Sequence, residues 1–278
     1  LLIFLRSVLI LELLKIDPSE HPLPRVLITT ENAEEVEAAR AELRAKVRGE
    51  PADLVESWLR SSEPLPAAQY KHTFLIACNK DPFVEHSWEV VTGVFRGPDN
   101  LLLKHALALS SRPGRREKAI PWAGAAAPVA SQEPKGRLSC FLPLPDSTMY
   151  PVWLHGWFAV DSARRGLARI NEVDELIQQR VQWNVMLMRH AVGPAWAQLL
   201  VQFRGAASTQ SDPYEKFPNE PGQQDEIERA FWEGFYAAAS TLPLFRGRGK
   251  QHSWGKPDTL HWNIPATSYN QLEGPLRA

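Results

Sequence analysis

The chain divides into short runs whose apolar residues alternate with polar ones and longer runs whose apolar residues return every three or four positions. The alternating runs predict strands. Val8–Ile16 reads as a buried strand after a short apolar helix or turn over Leu1–Leu5, and the β-branched run Arg25–Thr30 (RVLITT) reads as the next. Tyr70–Asn79 and Ser87–Phe95 are two more, and the Lys80-Asp81-Pro82 turn between them makes them a hairpin or near neighbours. Ile120–Ala130 is rich in small residues and implies close backbone packing. Gly136–Arg165 reads as two strands, Arg137–Leu142 and Val152–Val160, with Pro143, Pro145 and Pro151 keeping their connection out of the ladder.

The period-3.6 runs predict helices. Glu31–Arg48 follows a cap at Thr30 or Asn32, carries Glu31, Glu34 and Glu35 at its start and Arg40, Arg44, Lys46 and Arg48 later, and stops at Gly49 and Pro51. Its charges read as a solvated face. Pro51–Arg60 brings Leu54, Val55, Trp58 and Leu59 to one side, and Leu101–Ser110 fits a short helix better than a strand. Beyond Arg165 the period changes. Val173, Ile177, Val181, Val185, Met188, Val192, Trp196 and Leu199 share a face, and Gly193-Pro194 is expected to kink or interrupt it. Asp225–Ser240 is a further amphipathic helix, with Ile227, Phe231, Trp232 and Phe235 as its stripe. Thr241–Phe245 and Leu260–Ile264 read as short extended segments. The pattern predicts an α/β (α+β) class: a mixed sheet with packed helices over residues 1–166, then a helix-led second unit over 167–278.

Composition narrows the function classes. Of 278 residues, 44% are apolar and 23% charged, and the net charge of −1 exerts no global pull toward nucleic acid or anionic membrane. The 23 prolines favour many short elements over a long bundle. The uncharged part of the opening run is too short to span a bilayer. Cys78 and Cys140 each sit in an apolar, strand-like run and read as reduced, buried thiols, which places the chain in a reducing, cytoplasmic compartment.

Catalytic signatures are sparse. The chain has neither a phosphate-cradling G-x-x-x-x-G-K-[ST] loop nor a G-x-S-x-G elbow. The eight histidines do not pair with His, Cys or carboxylates at metal-ligand spacing, so no metal is expected. The basic loops Arg112–Lys118 and Arg246–Lys250 read as exposed loops or as polyanion contacts. One constellation remains: Asp161-Ser162-Ala163-Arg164-Arg165, where Asp161 or Ser162 turns the chain and presents two guanidinium groups. Arginine at a strand end is a natural donor to phosphate oxygens, because its fork is always charged. The alternative is that Arg164 and Arg165 neutralise the acidic start of the next helix at Glu172, Asp174 and Glu175.

Several words of the sequence resemble the region that follows the ATPase domain in sacsin-like proteins. They are LLIFLRSV (Leu1–Val8), WAGAAAP (Trp122–Pro128), GRLSCFLPLP (Gly136–Pro145), PVWLHGWFAVDSARR (Pro151–Arg165), WNVMLMRHAVGPAWAQLL (Trp183–Leu200) and LPLFRGRGKQHSWGKPDTL (Leu242–Leu260). The bulky Trp153-Leu154-His155 run and the charged helix at Glu31–Arg48 depart from that pattern. The resemblance implies a middle segment of a GHKL-type chaperone, similar to the ninety-kilodalton heat-shock proteins. On that reading this piece holds no cofactor and is not an enzyme alone; ATP and Mg belong to an upstream ATPase domain, on which it docks. Its other partners are client proteins, with neither membrane nor nucleic acid expected. The resemblance assigns Arg164 and Arg165 the contact with the nucleotide's γ-phosphate. The alternatives are a pure interaction scaffold without nucleotide contact, or a nucleic-acid-handling effector using the two basic loops.

Overall fold

The computed structural model describes residues 10–14, 25–78, 82–111, 119–130, 136–148, 150–163, 165–168, 175–205, 213–217, 225–246 and 254–259. Eight strands form one sheet: β1 (Ile10–Leu14), β2 (Arg25–Thr30), β3 (Ala67–Cys78), β4 (Val84–Val94), β5 (Trp122–Pro128), β6 (Gly136–Cys140), β7 (Leu142–Thr148) and β8 (Trp153–Gly156). Their spatial order is β1-β2-β3-β4-β5-β8-β6-β7. Neighbours are antiparallel, except that β6 and β8 run parallel, so the sheet is mixed. Among the described residues, six α-helices accompany it: α1 (Ala33–Lys46), α2 (Pro51–Arg60), α3 (Leu101–Ser110), α4 (Glu175–Leu187), α5 (Gly193–Gly205) and α6 (Glu226–Thr241). A two-stranded ribbon pairs β9 (Phe245–Arg246) with β10 (Trp254–Gly255). No helix among the described residues is long and apolar enough to cross a membrane.

The two faces of the sheet follow from the strand period of two. Ile28, Tyr70, Phe74, Ile76, Trp88, Val90, Ala126 and Trp153 cluster on one face. Val91, Ala125, Ala127 and Leu154 join the main core, where α5 lies across β4 and β5. All seven residues of β5 are buried, and Ala123, Ala125 and Ala127, on the face of the main core, let the helix approach closely. That core draws on both sides of residue 166, from Leu43 and Val55 to Trp196, Phe231 and Leu244.

Three local expectations differ from the structure. The proline segment is a strand: β7 pairs antiparallel with β6. It lies at the end of the sheet, where a missing N–H is tolerated. The chain reverses at Phe141 with a left-handed φ of 63°, and His155 Nε2 accepts the Phe141 N–H at 3.3 Å. The expected strand Val152–Val160 ends at Gly156, and its pairing with β6 is parallel. Cys78 is exposed, unlike Cys140, because it ends β3 at the turn end of the β3–β4 hairpin, beside exposed Phe83 and Val84.

The long helical run is interrupted as expected, by a π turn over Met188–Val192. Gly193 N–H donates to Met188 O, five residues back. The wider turn absorbs the donor that Pro194 lacks in the first turn of α5. Here the π turn meets α6 backbone to backbone. A Cβ on Gly234 would lie 1.9 Å from Arg189 O, and one on Gly193 would lie 2.6 Å from Phe235 N. Arg189 and Glu233 form an ion pair at the rim of this contact. Trp196 is fully buried. Its ring stacks on Phe231 at 5.4 Å and packs beside Phe235 and Tyr150, and its Nε1–H donates to Lys216 O at 3.1 Å.

Candidate functional site

The tip that carries Arg165 stands on a stem, Trp157–Val160, that leaves the sheet after β8. In leaving, its backbone loses strand partners, and every buried N–H and C=O needs another. The Trp157 N–H still reaches Trp122 O at 3.0 Å. Side chains satisfy much of the rest. Trp183 Nε1 donates to Trp157 O at 2.8 Å, and Cys140 Sγ donates to Phe158 O at 3.4 Å. Asn184 engages Ala159 twice: its Oδ1 accepts the Ala159 N–H at 2.9 Å, and its Nδ2 donates to Ala159 O at 2.8 Å. Arg180 Nη2 donates to Val160 O at 3.2 Å. Residues 180, 183 and 184 share one face of α4, since positions three and four apart are neighbours on a helix.

Beyond the stem the chain folds back on itself. Val160 pairs antiparallel with Leu167, Ala168 N donates to Ala159 O at 2.9 Å, and Asp161 N donates to Gly166 O at 3.0 Å. The Asp161 carboxylate accepts the Arg165 N–H at 2.8 Å, so Asp161 is the residue that closes the turn. Arg165 is exposed at this tip. Arg164 lies outside the described residues, as do Glu172 and Asp174, on which the helix-neutralising alternative depends. The basic loop over 112–118 and the 247–250 part of the second one also lie outside them.

A second polar cluster, under α1, went unrecognised in the sequence. Arg40, expected on a solvated face, is buried, and His72 is completely so. Arg40 Nη2 lies 3.4 Å from His72 Nδ1, and His72 Nε2 lies 3.0 Å from Thr30 Oγ1. A guanidinium only donates, so Nδ1 accepts and Nε2 carries the proton toward Thr30. Arg40 also sits over the Tyr70 ring at 5.9 Å. Asn32, at the N-cap position of α1, makes no capping bond; its amide instead clasps β3, donating to Lys71 O at 2.7 Å and accepting from Thr73 N at 3.0 Å. Burial, and then the Arg40 charge, hold the His72 pKa down at about 3. A neutral imidazole sealed from water is a packing element rather than a proton shuttle.

This cluster makes stability fall with acid. A folded pKa of about 3 lies below the ordinary 6.5, so the unfolded chain takes up the proton first. The His72 contribution is complete above pH 6.5 and declines as the pH falls toward 3, by about 1.4 kcal/mol per unit. Burial lowers His105 and His190 as well, and they act in the same direction. Urea unfolding of the wild type at pH 7 and pH 5 is expected to show a loss that His72→Gln reduces by about 2 kcal/mol. Equal losses in the two proteins would mean that His72 titrates normally.

Among the described residues, no group of three or more His, Cys, Asp or Glu side chains is placed to hold a metal ion. No protein-family model matches the chain. Human (Homo sapiens) sacsin is 39% identical to it over 95 residues, which make up 34% of this chain and 2% of sacsin. Part of the chain is sacsin-like. The match spans a small fraction of that relative's length, and no solved structure matches the chain.

Proposed function

We propose that this chain is a non-catalytic middle module of a sacsin-like, ATP-dependent chaperone or remodelling protein in the cytoplasm. It docks on a GHKL-type ATPase domain, which holds ATP and Mg, and it binds protein clients. Its contribution to the nucleotide is cationic: Arg164 and Arg165 reach phosphate oxygens from the tip. The observation that carries the reading is the 39% identity to human sacsin over 95 residues. The tip adds physical support. Arg165 is exposed on a turn closed by Asp161, and the turn stands on a stem held by buried side chains. A guanidinium on such a mount presents a planar fork of donors that matches phosphate oxygens. ATP itself supplies the phosphoryl chemistry when bound to the partner domain; this chain orients and neutralises.

ATP turnover by the ATPase domain of the same protein, measured with and without this chain, tests the reading. The wild-type chain is expected to raise turnover, and the Arg164→Ala/Arg165→Ala variant to lose about 100-fold of that stimulation. Equal stimulation by the two proteins would remove the phosphate contact and leave an interaction scaffold.

A further inference from the structure

We propose that Asn184, seconded by Arg180, is the positioning residue of the arginine tip. The proposal deepens the phosphate-contact reading and, as regards the aim of Arg164 and Arg165 at a ligand, rests on it. In an extended chain the N–H and C=O of one residue point to the same side, which is how an antiparallel partner exchanges two bonds with it. Asn184 does this with a single amide, accepting from Ala159 N and donating to Ala159 O. The orientation of that amide is forced, because a backbone N–H only donates and a carbonyl only accepts.

Two bonds from one planar group fix the rotation of the stem about its axis as well as its distance from α4. The next carbonyl, that of Val160, is held one helical turn away by Arg180. Two residues beyond Ala159, Asp161 closes the turn that bears Arg165. The sheet, whose last strand stops at Gly156, holds the base of the stem at Trp157 and Phe158, and α4 holds its outer half at Ala159 and Val160, next to the tip. Asn184 is completely buried, so water cannot take over when its amide is removed. Its apolar neighbours on the helix, Val181, Val185 and Met188, are buried and have no polar group to offer.

Amide hydrogen exchange on the intact chain tests this. In the wild type, the Ala159 amide is expected to exchange as slowly as the amides of β8, although it lies outside any strand; rapid exchange there would overturn the proposal. In Asn184→Leu, exchange over Ala159–Ala168 is expected to rise at least about 10-fold while the β3–β4 amides keep their rates. A uniform rise across the sheet, or none, would overturn it. Asn184→Asp supplies a readout that simple packing would not move. The carboxylate keeps the acceptor for Ala159 N but sets a negative oxygen against Ala159 O, whereas the protonated acid again both donates and accepts. Relative to wild type at each pH, its tip is expected to be loose at pH 8 and to tighten toward pH 5; a pH-independent ratio would count against the proposal. Should the exchange results hold while Arg164→Ala/Arg165→Ala leaves ATP turnover unchanged, positioning by Asn184 stands and the phosphate contact falls.

Discussion

Gly234→Ala is expected to lower the unfolding free energy by about 3 kcal/mol or more, because it forces two backbones apart. The added Cβ would lie 1.9 Å from Arg189 O and 2.6 Å from Arg189 C. These are main-chain atoms of the π turn, which cannot swing aside as a side chain does. Alanine's better helix propensity recovers about 1 kcal/mol at most, too little to offset the clash. Gly193→Ala probes the same contact from the other side, with Phe235 N at 2.6 Å and Phe231 O at 2.8 Å. Both substitutions need the same separation of α6 from the π turn, so the double variant is expected to cost less than the sum of the two. Urea midpoints read all three. A Gly234→Ala midpoint within error of wild type would mean that the backbones are not in contact. The Ala159–Asn184 bonds hang on the helix that leads into this π turn, so faster Ala159 exchange is expected to accompany the loss of stability.

Trp196→Ala is expected to cost about 4 kcal/mol, the range of a large buried aromatic reduced to a methyl. The ring is completely buried and joins three elements at once: Phe231 and Phe235 on α6, Tyr150 just before β8, and the Lys216 carbonyl of a short helical turn over Pro213–Lys216. Trp196→Phe keeps much of the stacking but loses part of the indole's volume and the Nε1 hydrogen bond to Lys216 O, so about 2 kcal/mol is expected. Chemical denaturation followed by far-ultraviolet circular dichroism separates the two variants. If they cost the same, the hydrogen bond rather than the ring carries the site.

The elements that sequence reading places well are those whose signals are local. Arg25–Thr30, Pro51–Arg60 and Leu101–Ser110 match observed elements end to end. Pro51 stands at the first turn of α2, where its missing N–H has no helical partner to lose. Asp225, where the predicted helix begins, stands one residue outside α6 as its N-cap, and its side chain accepts from Glu228 N at 2.9 Å. What could not be read is set by distant pairing. The parallel contact of β6 with β8 joins strands separated by β7 in the chain, and no local feature announces it. The prolines of β7 were read as breakers because their tolerance depends on the strand lying at an edge.

The site was half legible. The turn closed by Asp161 stands out as a charged break after an apolar run. Asn184 does not, although a clue was present: it is a polar residue in the arc of α4 that also holds Val181 and Val185. His72 offered a similar clue, since it lies two residues from both Tyr70 and Phe74 and so shares their face of β3. In each case a polar residue within an apolar pattern marks a buried hydrogen-bonding task. Which backbone or side chain receives the bond is decided by tertiary structure.

The placement of Pro143 and Pro145 has a consequence for how copies of this molecule meet. Both lie in β7, the final strand on one side of the sheet, and neither has an N–H to offer an incoming strand. That border has two fewer donors than a strand of its length would carry. Among the described residues the opposite border is Ile10–Leu14, whose backbone carries a donor at every position. Among the described strands, edge-to-edge association between copies is therefore expected to use β1 in preference to β7. Head-to-tail stacking of the kind that grows fibrils joins two different borders, and among the described strands the prolines of β7 weaken one of them.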